Sequence, residues 1–351
     1  MKELRLIKKA LLPLSWIYGF ITDVRNILFD NGILSSQKVP QKVIAVGNLT
    51  IGGTGKTPVI EYLTNLYSKQ IPTAILSRGY GRQTQGFVEA DATASASSIG
   101  DEPFQFYTKF GTDVNVSVCE KRVEGALQIN RRHPDVELLL LDDAFQHRAI
   151  RRDVNILLND YNRPFYEDHP FPAGRLRERR HGAWRADAVI VTKCPAFRDV
   201  SEKQNICNHI SRYTREGVPV FFATTRYEAP LSYESTPVQL KNVKMVAGIA
   251  NPTPFAAYLT TRFIVRDRRV FVDHHNYTAN DVEDLIKNLK SDTFVVTTEK
   301  DMVKLKPLVA SKGYAARFAY IPVSVDFGDD EPAFVQWITS QIGNRFENGR
   351  M

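Results

Sequence analysis

The run Gly52–Gly53–Thr54–Gly55–Lys56–Thr57 joins three glycines, a lysine and a hydroxyl side chain at the spacing that wraps a polyphosphate. Backbone N–H groups close on phosphate oxygens only where no side chain intervenes, and Gly52, Gly53 and Gly55 meet that need. Lys56 is then placed to neutralise the β- and γ-phosphates of a nucleotide, and Thr57 to offer its hydroxyl to Mg²⁺. A helix starting there adds the positive end of its dipole. Thr50 and Ile51 complete the cradle on its entry side, although the general motif has glycine where Thr50 stands. The implied ligand is ATP–Mg²⁺.

A second acidic element follows downstream. Leu138–Leu139–Leu140–Leu141 is a wholly apolar run ending in Asp142 and Asp143. Carboxylates at the end of such a strand, after a phosphate loop, hold Mg²⁺ directly or through water. A single aspartate there could equally cap a helix; two in succession favour the metal.

These residues need a scaffold, and the flanking pattern supplies one. Lys42–Val46 reads as a β-branched strand before the loop and Pro58–Lys69 as an amphipathic helix after it. Strands are expected at 73–76, 114–118, 136–141, 154–158, 188–192, 243–247 and 294–298, with helices around 104–107 and 121–131. The alternation predicts an α/β fold: a P-loop NTPase-type, doubly wound, mostly parallel sheet with a smaller C-terminal α/β lobe. The predicted boundary falls between residues 1–225 and 226–351, with 227–241 as linker. The small, polar segment 83–98 reads as a mobile surface excursion.

The chain has 351 residues, a net charge of +7 and three scattered cysteines, Cys119, Cys194 and Cys207. That pattern excludes a disulfide framework or a zinc knuckle and fits a reducing compartment. The positive balance suits an anionic partner without choosing one. Basic residues gather at 2–9, 148–152 and 175–180, each equally readable as a solvated face. Lys2, Arg5, Lys8 and Lys9 precede an apolar run bearing Trp16, Tyr18 and Phe20. This predicts an N-terminal amphipathic helix over about residues 1–30, lying at a membrane interface or packed on the domain.

Several further segments are similar to the tetraacyldisaccharide 4′-kinase family. Asp142–Asp143–Ala144–Phe145–Gln146–His147–Arg148 resembles its D-D-G-F-Q-H-R element, with Ala144 in place of glycine. Gly47–Asn48–Leu49–Thr50, Ser77–Arg78–Gly79–Tyr80–Gly81 and Gly100–Asp101–Glu102–Pro103 follow the family order. So do Pro172–Ala173–Gly174–Arg175–Leu176–Arg177–Glu178, Ala247–Gly248–Ile249–Ala250–Asn251–Pro252, Phe271–Val272–Asp273–His274–His275 and Thr298–Glu299–Lys300–Asp301. That family carries serine or threonine at the position of Thr50.

The resemblance implies transfer of the ATP γ-phosphate to the 4′-hydroxyl of an acylated glucosamine disaccharide 1-phosphate, giving lipid IVA. It implies Asp101 as base, paired with His274 from the other lobe, with Lys56 on the phosphates and Thr57, Asp142 and Asp143 on Mg²⁺. Either member of the pair can take the proton, and adjacent His275 leaves the histidine open by one position. Arg78, Tyr80 and His147 are implied near the phosphates or acceptor. Arg177 and Glu178 are implied at the 1-phosphate end of the substrate, or else as a surface ion pair. The expected location is the cytoplasmic face of the bacterial inner membrane, peripherally bound, with no nucleic acid and no obligate protein partner.

Two other classes compete. A nucleotide-switch GTPase would need an aspartate where Thr192–Lys193–Cys194–Pro195 ends in proline. A non-enzymatic nucleic-acid or membrane-binding module would account for the charge but leave the loop and the paired aspartates without a purpose.

Overall fold

A computed structural model of the chain describes residues 2–195 and 199–343, with side chains of the first helix described from Ala10 onward. The basic Lys2, Arg5, Lys8 and Lys9 therefore lie outside the described side chains. In chain order the elements are α1 (Lys2–Asp30), β1 (Lys42–Asn48), α2 (Lys56–Tyr67), β2 (Thr73–Ser77), β3 (Val88–Glu89), α3 (Ala96–Ile99), α4 (Asp101–Phe110), β4 (Asn115–Val118) and α5 (Arg122–Arg132). Next come β5 (Leu138–Asp142), β6 (Val154–Asp160), β7 (Ala188–Cys194), α6 (Val200–Ser211), β8 (Val220–Tyr227), β9 (Leu231–Ser232) and β10 (Asn242–Ala247). The last are α7 (Thr253–Arg262), β11 (Ile264–Val270), α8 (Ala279–Ile286), β12 (Thr293–Thr298), α9 (Glu299–Ser311), β13 (Phe318–Ile321), β14 (Val323–Asp326) and α10 (Glu331–Ile342).

The chain folds as two compact units, 1–78 with 119–225 and 325–351, and 79–118 with 226–324. In the first, β8, β7, β6, β1, β5 and β2 lie side by side in that order, all parallel. Strands buried on both faces must be apolar throughout, which is why Leu138–Leu141 and Ala188–Val191 contain no polar residue. β1 has β5 and β2 on one side and β6 on the other, so the connections diverge at its carboxyl end. A crevice opens at such a switch point, and the glycine-rich loop begins there.

The second unit has β11, β10, β12 and β13 in parallel, with β9 antiparallel at the edge. α4 belongs to this unit because Phe104 packs into the cluster containing Tyr233, Tyr277, Met302 and Phe318. The predicted boundary at 225/226 is thus replaced by a division in which 79–118 is inserted into the later unit and 325–351 returns to the first.

Two further expectations change. Segment 83–98 carries β3, paired antiparallel with β4, and α3, whose capping box joins Ser95 and Ser98. Residues 227–241 are not a linker: β9 extends the sheet, and Tyr233 is fully buried with its hydroxyl against Thr297.

α1 docks on the first unit with its polar side. The Ser15 hydroxyl receives the Ala173 N–H, the Tyr18 hydroxyl donates to the Arg177 carbonyl, Asn26 donates to Glu178, and Asp23 pairs with Arg179. Gly19 lies so close to Arg179 that a Cβ would come within 2.6 Å of Nε. Trp16, Ile17, Phe20, Ile21, Val24 and Ile27 are left exposed. A helix on a water-facing surface ordinarily has the reverse arrangement. No described helix is long and apolar enough to cross a membrane.

The close approach at Gly47 is a direct test of this packing, because a Cβ there would meet the Phe145 backbone nitrogen at 2.6 Å. Gly47→Ala is expected to destabilise the protein by about 1–3 kcal/mol, seen as a lower thermal midpoint. An unchanged midpoint would contradict the described contact between β1 and the turn after β5.

Candidate active site

The phosphate loop leaves β1 at Asn48 and enters α2 at Lys56. Gly52 and Gly55 have φ of 119° and 86°, a region costly for any residue with a Cβ. The loop is braced on both sides. Asn48 donates to the Thr54 hydroxyl at 2.7 Å, and the Thr192 hydroxyl donates to the Thr54 carbonyl at 2.8 Å. The Lys193 ammonium bonds the Gly53 carbonyl and sits 2.6 Å from Asp160. On the entry side Thr50 bridges Leu176, Ile51 N–H donates to the Arg175 carbonyl, and Arg177 N–H to that of Leu49. The Pro172–Glu178 segment therefore acts as a short strand laid against the loop.

Beside the loop stand the acidic pair and four cations. Asp142 is buried at the end of β5 and accepts from the Ser77 hydroxyl at 2.7 Å. Asp143 follows with φ of 47°, which turns its side chain off the strand direction. Arg177 Nη1 contacts its two oxygens at 2.8 and 2.9 Å, and the Lys56 ammonium is 3.6 Å away. Burial pushes the Asp143 carboxyl up, yet Lys56, Arg177 and Arg122 outweigh it and hold the group below the ordinary carboxylate range. Arg122 is almost wholly buried and donates to the Asp142 carbonyl; burial lowers its guanidinium to about 10, so it stays charged near neutrality. Burial, with Arg122 and Arg78 adding positive charge, lowers His147 to about 4. His147 is thus neutral near pH 7, able to donate one hydrogen bond and accept another.

Thr57, Asp142 and Asp143 offer hard oxygen donors, the set that suits Mg²⁺. Among the described residues no group of three or more His, Cys, Asp or Glu could hold a metal ion. That fits Mg²⁺, which is usually bound by one or two carboxylates together with substrate phosphates and water.

The second unit builds its own charged cluster. Asp101 opens α4, and its Oδ2 lies 3.0 Å from His274 Nδ1 and 3.1 Å from the Lys304 ammonium. Burial raises the Asp101 carboxyl, but His274, Lys304 and Lys300 together bring it below the usual range. His274 sits in a turn at φ 61°, with its N–H toward the Gly248 carbonyl at 3.3 Å and the Tyr80 ring 5.5 Å from its imidazole. Buried Asp301 fixes this turn by accepting from Gly248 N–H, the Tyr277 hydroxyl and the Thr298 hydroxyl. A Cβ on Gly248 would come within 2.9 Å of both Asp301 and Tyr277, so only glycine fits.

The expectation that Asp101 and His274 come from different lobes is corrected, since α4 is part of the unit that carries His274. The two adjacent histidines have different partners: His274 faces Asp101, whereas His275 pairs with Asp281 at 3.2 Å. Arg177 reaches Asp143 rather than Glu178. Glu178 is buried and hydrogen-bonded by Arg185, Gln146 and Asn26. In the basic runs at 148–152 and 175–180, Arg148 bonds Asn26 and Asp30, Arg152 the Phe145 carbonyl, and Arg180 the Asp168 carbonyl. Sequence reasoning missed Arg122, Lys193, Lys304 and Tyr277. Only Lys193 and Lys304 left a signal, the first in a strand-end turn and the second one helical turn past Lys300.

A family profile described as Tetraacyldisaccharide-1-P 4′-kinase matches residues 7–343. A protein of Cytophaga hutchinsonii named tetraacyldisaccharide 4′-kinase is 42% identical over 344 residues, covering 97% of each chain. One of the same name from Flavobacterium psychrophilum is 40% identical, covering 98% of this chain and 99% of that one. The crystal structure of LpxK from Aquifex aeolicus in complex with ATP superimposes with a TM-score of 0.76 at 28% identity, covering 96% of this chain and 99% of that chain.

His147 offers a test of the site's electrostatics. Its ring in the folded protein refuses a proton between pH 6.5 and about 4, while the unfolded chain accepts one. Stability from this group is therefore lost as pH falls through that window, by about 3 kcal/mol, and is level below it. In urea unfolding, His147→Gln is expected to lose less stability than wild type between pH 6.5 and 4. Parallel pH dependences in the two proteins would contradict a buried neutral imidazole.

Proposed function

The chain belongs to the tetraacyldisaccharide-1-P 4′-kinase family, and from that premise we propose how its own residues perform the reaction. The protein is an ATP-dependent kinase that phosphorylates the 4′-hydroxyl of tetraacyldisaccharide 1-phosphate in lipid A biosynthesis. The observation carrying the residue assignment is the Lys56 ammonium held beside Asp143 at the mouth of a braced glycine-rich loop.

In this proposal residues 50–57 hold the polyphosphate of ATP, through backbone N–H groups and Lys56. Thr57, Asp142 and Asp143 hold Mg²⁺, which when bound neutralises phosphate oxygens. Arg177 and Arg122 keep the acidic pair ionised and oriented. Arg78 and neutral His147 serve the phosphates or the acceptor, and Tyr80 serves the acceptor. Glu178 is assigned a bracing role instead of substrate contact. Asp101 takes the proton of the acceptor hydroxyl as the new O–P bond forms and the bond from the γ-phosphorus to the ADP oxygen breaks. His274 donates to Asp101 from Nδ1.

The exposed apolar face of α1 is proposed to rest on the cytoplasmic face of the inner membrane, since its polar face is already satisfied by the protein. An acylated acceptor resides in such a surface, so peripheral attachment brings enzyme to substrate.

Purified protein given γ-labelled ATP, Mg²⁺ and the acylated disaccharide 1-phosphate in detergent is expected to move label into the lipid. Label found only in free phosphate would favour a hydrolytic switch. For the membrane face, Phe20→Glu with Ile21→Glu changes only outward positions. Pelleting with anionic phospholipid vesicles is expected to weaken about tenfold or more at an unchanged melting temperature. Undiminished pelleting would remove α1 from the attachment.

A further inference from the structure

Thr192 and Lys193 lie at the end of β7 beside the phosphate loop, and belong to none of the groups assigned above to ATP, Mg²⁺ or the acceptor. Thr192 pairs across to Asp160, the last residue of β6, and the ladder from β7 to β8 shifts register between Val191 and Cys194. Within that irregular stretch Lys193 takes a φ of 56°, a conformation uncommon for a residue with a Cβ. We propose that Thr192 and Lys193 are positioning residues for the nucleotide: they hold two successive peptides of the loop so that the Thr54 and Gly55 N–H groups face the polyphosphate. The proposal rests on the reading of residues 50–57 as the polyphosphate cradle.

The C=O and N–H of one trans peptide point in opposite directions. The Lys193 ammonium donates to the Gly53 carbonyl, so the Thr54 N–H of the same peptide is aimed away from β7. The Thr192 hydroxyl donates to the Thr54 carbonyl at 2.8 Å, which aims the Gly55 N–H away from β7 as well. That hydroxyl has one proton, and its other carbonyl contact, Asn159 at 3.4 Å, is the longer. Neither N–H donates to a protein acceptor among the described residues. Successive N–H groups left open in this way form an anion-binding concavity. A Cβ on Gly52 or Gly53 would meet no protein atom within 4 Å, so the missing side chains clear room for a ligand and not for the protein.

Lys193 is itself fixed by charge. Its ammonium sits 2.6 Å from Asp160 Oδ2, and Oδ1 of Asp160 accepts the Asn162 N–H at 2.9 Å. The carboxylate neutralises the lysine, so what Lys193 gives the loop is a directed donor more than net charge. Removing Lys193 would have two separable effects. A bare Asp160 carboxylate beside the loop would repel a polyphosphate, and a freed Gly53 carbonyl would let its peptide turn. Removing both charges together leaves only the second effect.

The test is binding of ATP–Mg²⁺ and of inorganic tripolyphosphate–Mg²⁺ to the full chain, read by displacement of a fluorescent ATP analogue, with the melting temperature as a check on folding. Lys193→Met combined with Asp160→Asn is expected to weaken both ligands by a similar factor, about tenfold, and Thr192→Val to weaken both by about threefold. Lys193→Arg and Thr192→Ser restore the donors, so each is expected to recover most of the affinity lost in Lys193→Met and Thr192→Val. In turnover, KM for ATP is expected to rise while KM for the acylated acceptor stays level. Wild-type affinity in the Lys193→Met, Asp160→Asn double variant would overturn the proposal, as would Thr192→Val binding like wild type. Loss for ATP without loss for tripolyphosphate would also overturn it, by moving the role of Lys193 to the base. A wild-type protein that binds neither ligand would instead overturn the reading of the loop as a polyphosphate cradle.

Discussion

The Asp143 carboxylate, pinned between Arg177 and Lys56, organises the phosphate-binding half of this protein. Two cations and a partly buried anion hold one another where none would be stable alone. The pairing reaches outward through the backbone. Arg177 can meet Asp143 only because its own N–H is tied to Leu49 at the loop entrance. Asp143 can turn toward it only because its φ is positive at the end of β5. The loop glycines, the bracing strand at 175–177 and the buried Arg122 all serve this arrangement. A polyphosphate arriving at Lys56 meets charge already in place, which is the kind of preorganisation that makes electrostatic catalysis effective.

The same device is built a second time, from different elements. Asp101 is a carboxylate under burial, rescued by Lys304, Lys300 and a histidine donor. Its supporting turn is set by an uncharged-facing network of Gly248, Tyr277 and Thr298 around buried Asp301. In the proposed mechanism one cluster neutralises phosphate charge and the other receives a proton. Dividing these tasks lets each carboxylate be tuned by its own cations. α1 adds a third specialisation, since its polar residues are spent on the protein and its apolar ones are left outward.

Much of this was legible in the sequence because the signals are local. Glycines that need positive φ, apolar strands bounded by acids and the spacing of Lys56 and Thr57 identify the loop and its scaffold without tertiary knowledge. Segment order within the strands also indicated a doubly wound sheet. What could not be read were partners set by long-range packing. Asp101 precedes His274 by 173 residues, and only the packing of Phe104 into the later unit brings α4 there. Residues 227–241 looked like a linker because β9 has just two residues, and its value lies in edge pairing with β13. Arg148 was readable as part of a solvated face and Glu178 as a substrate contact or a surface ion pair, since a basic or acidic side chain alone does not announce a buried partner.

The separation of phosphate holding from proton removal is tested most directly by one paired measurement on Asp101→Asn, its ATP dissociation constant and its kcat. Asparagine keeps the shape and can still bond His274 but takes no proton. The account predicts an ATP dissociation constant within about twofold of wild type and a kcat lowered by about 10²-fold or more. A kcat near wild type, or loss of ATP affinity in step with turnover, would contradict it.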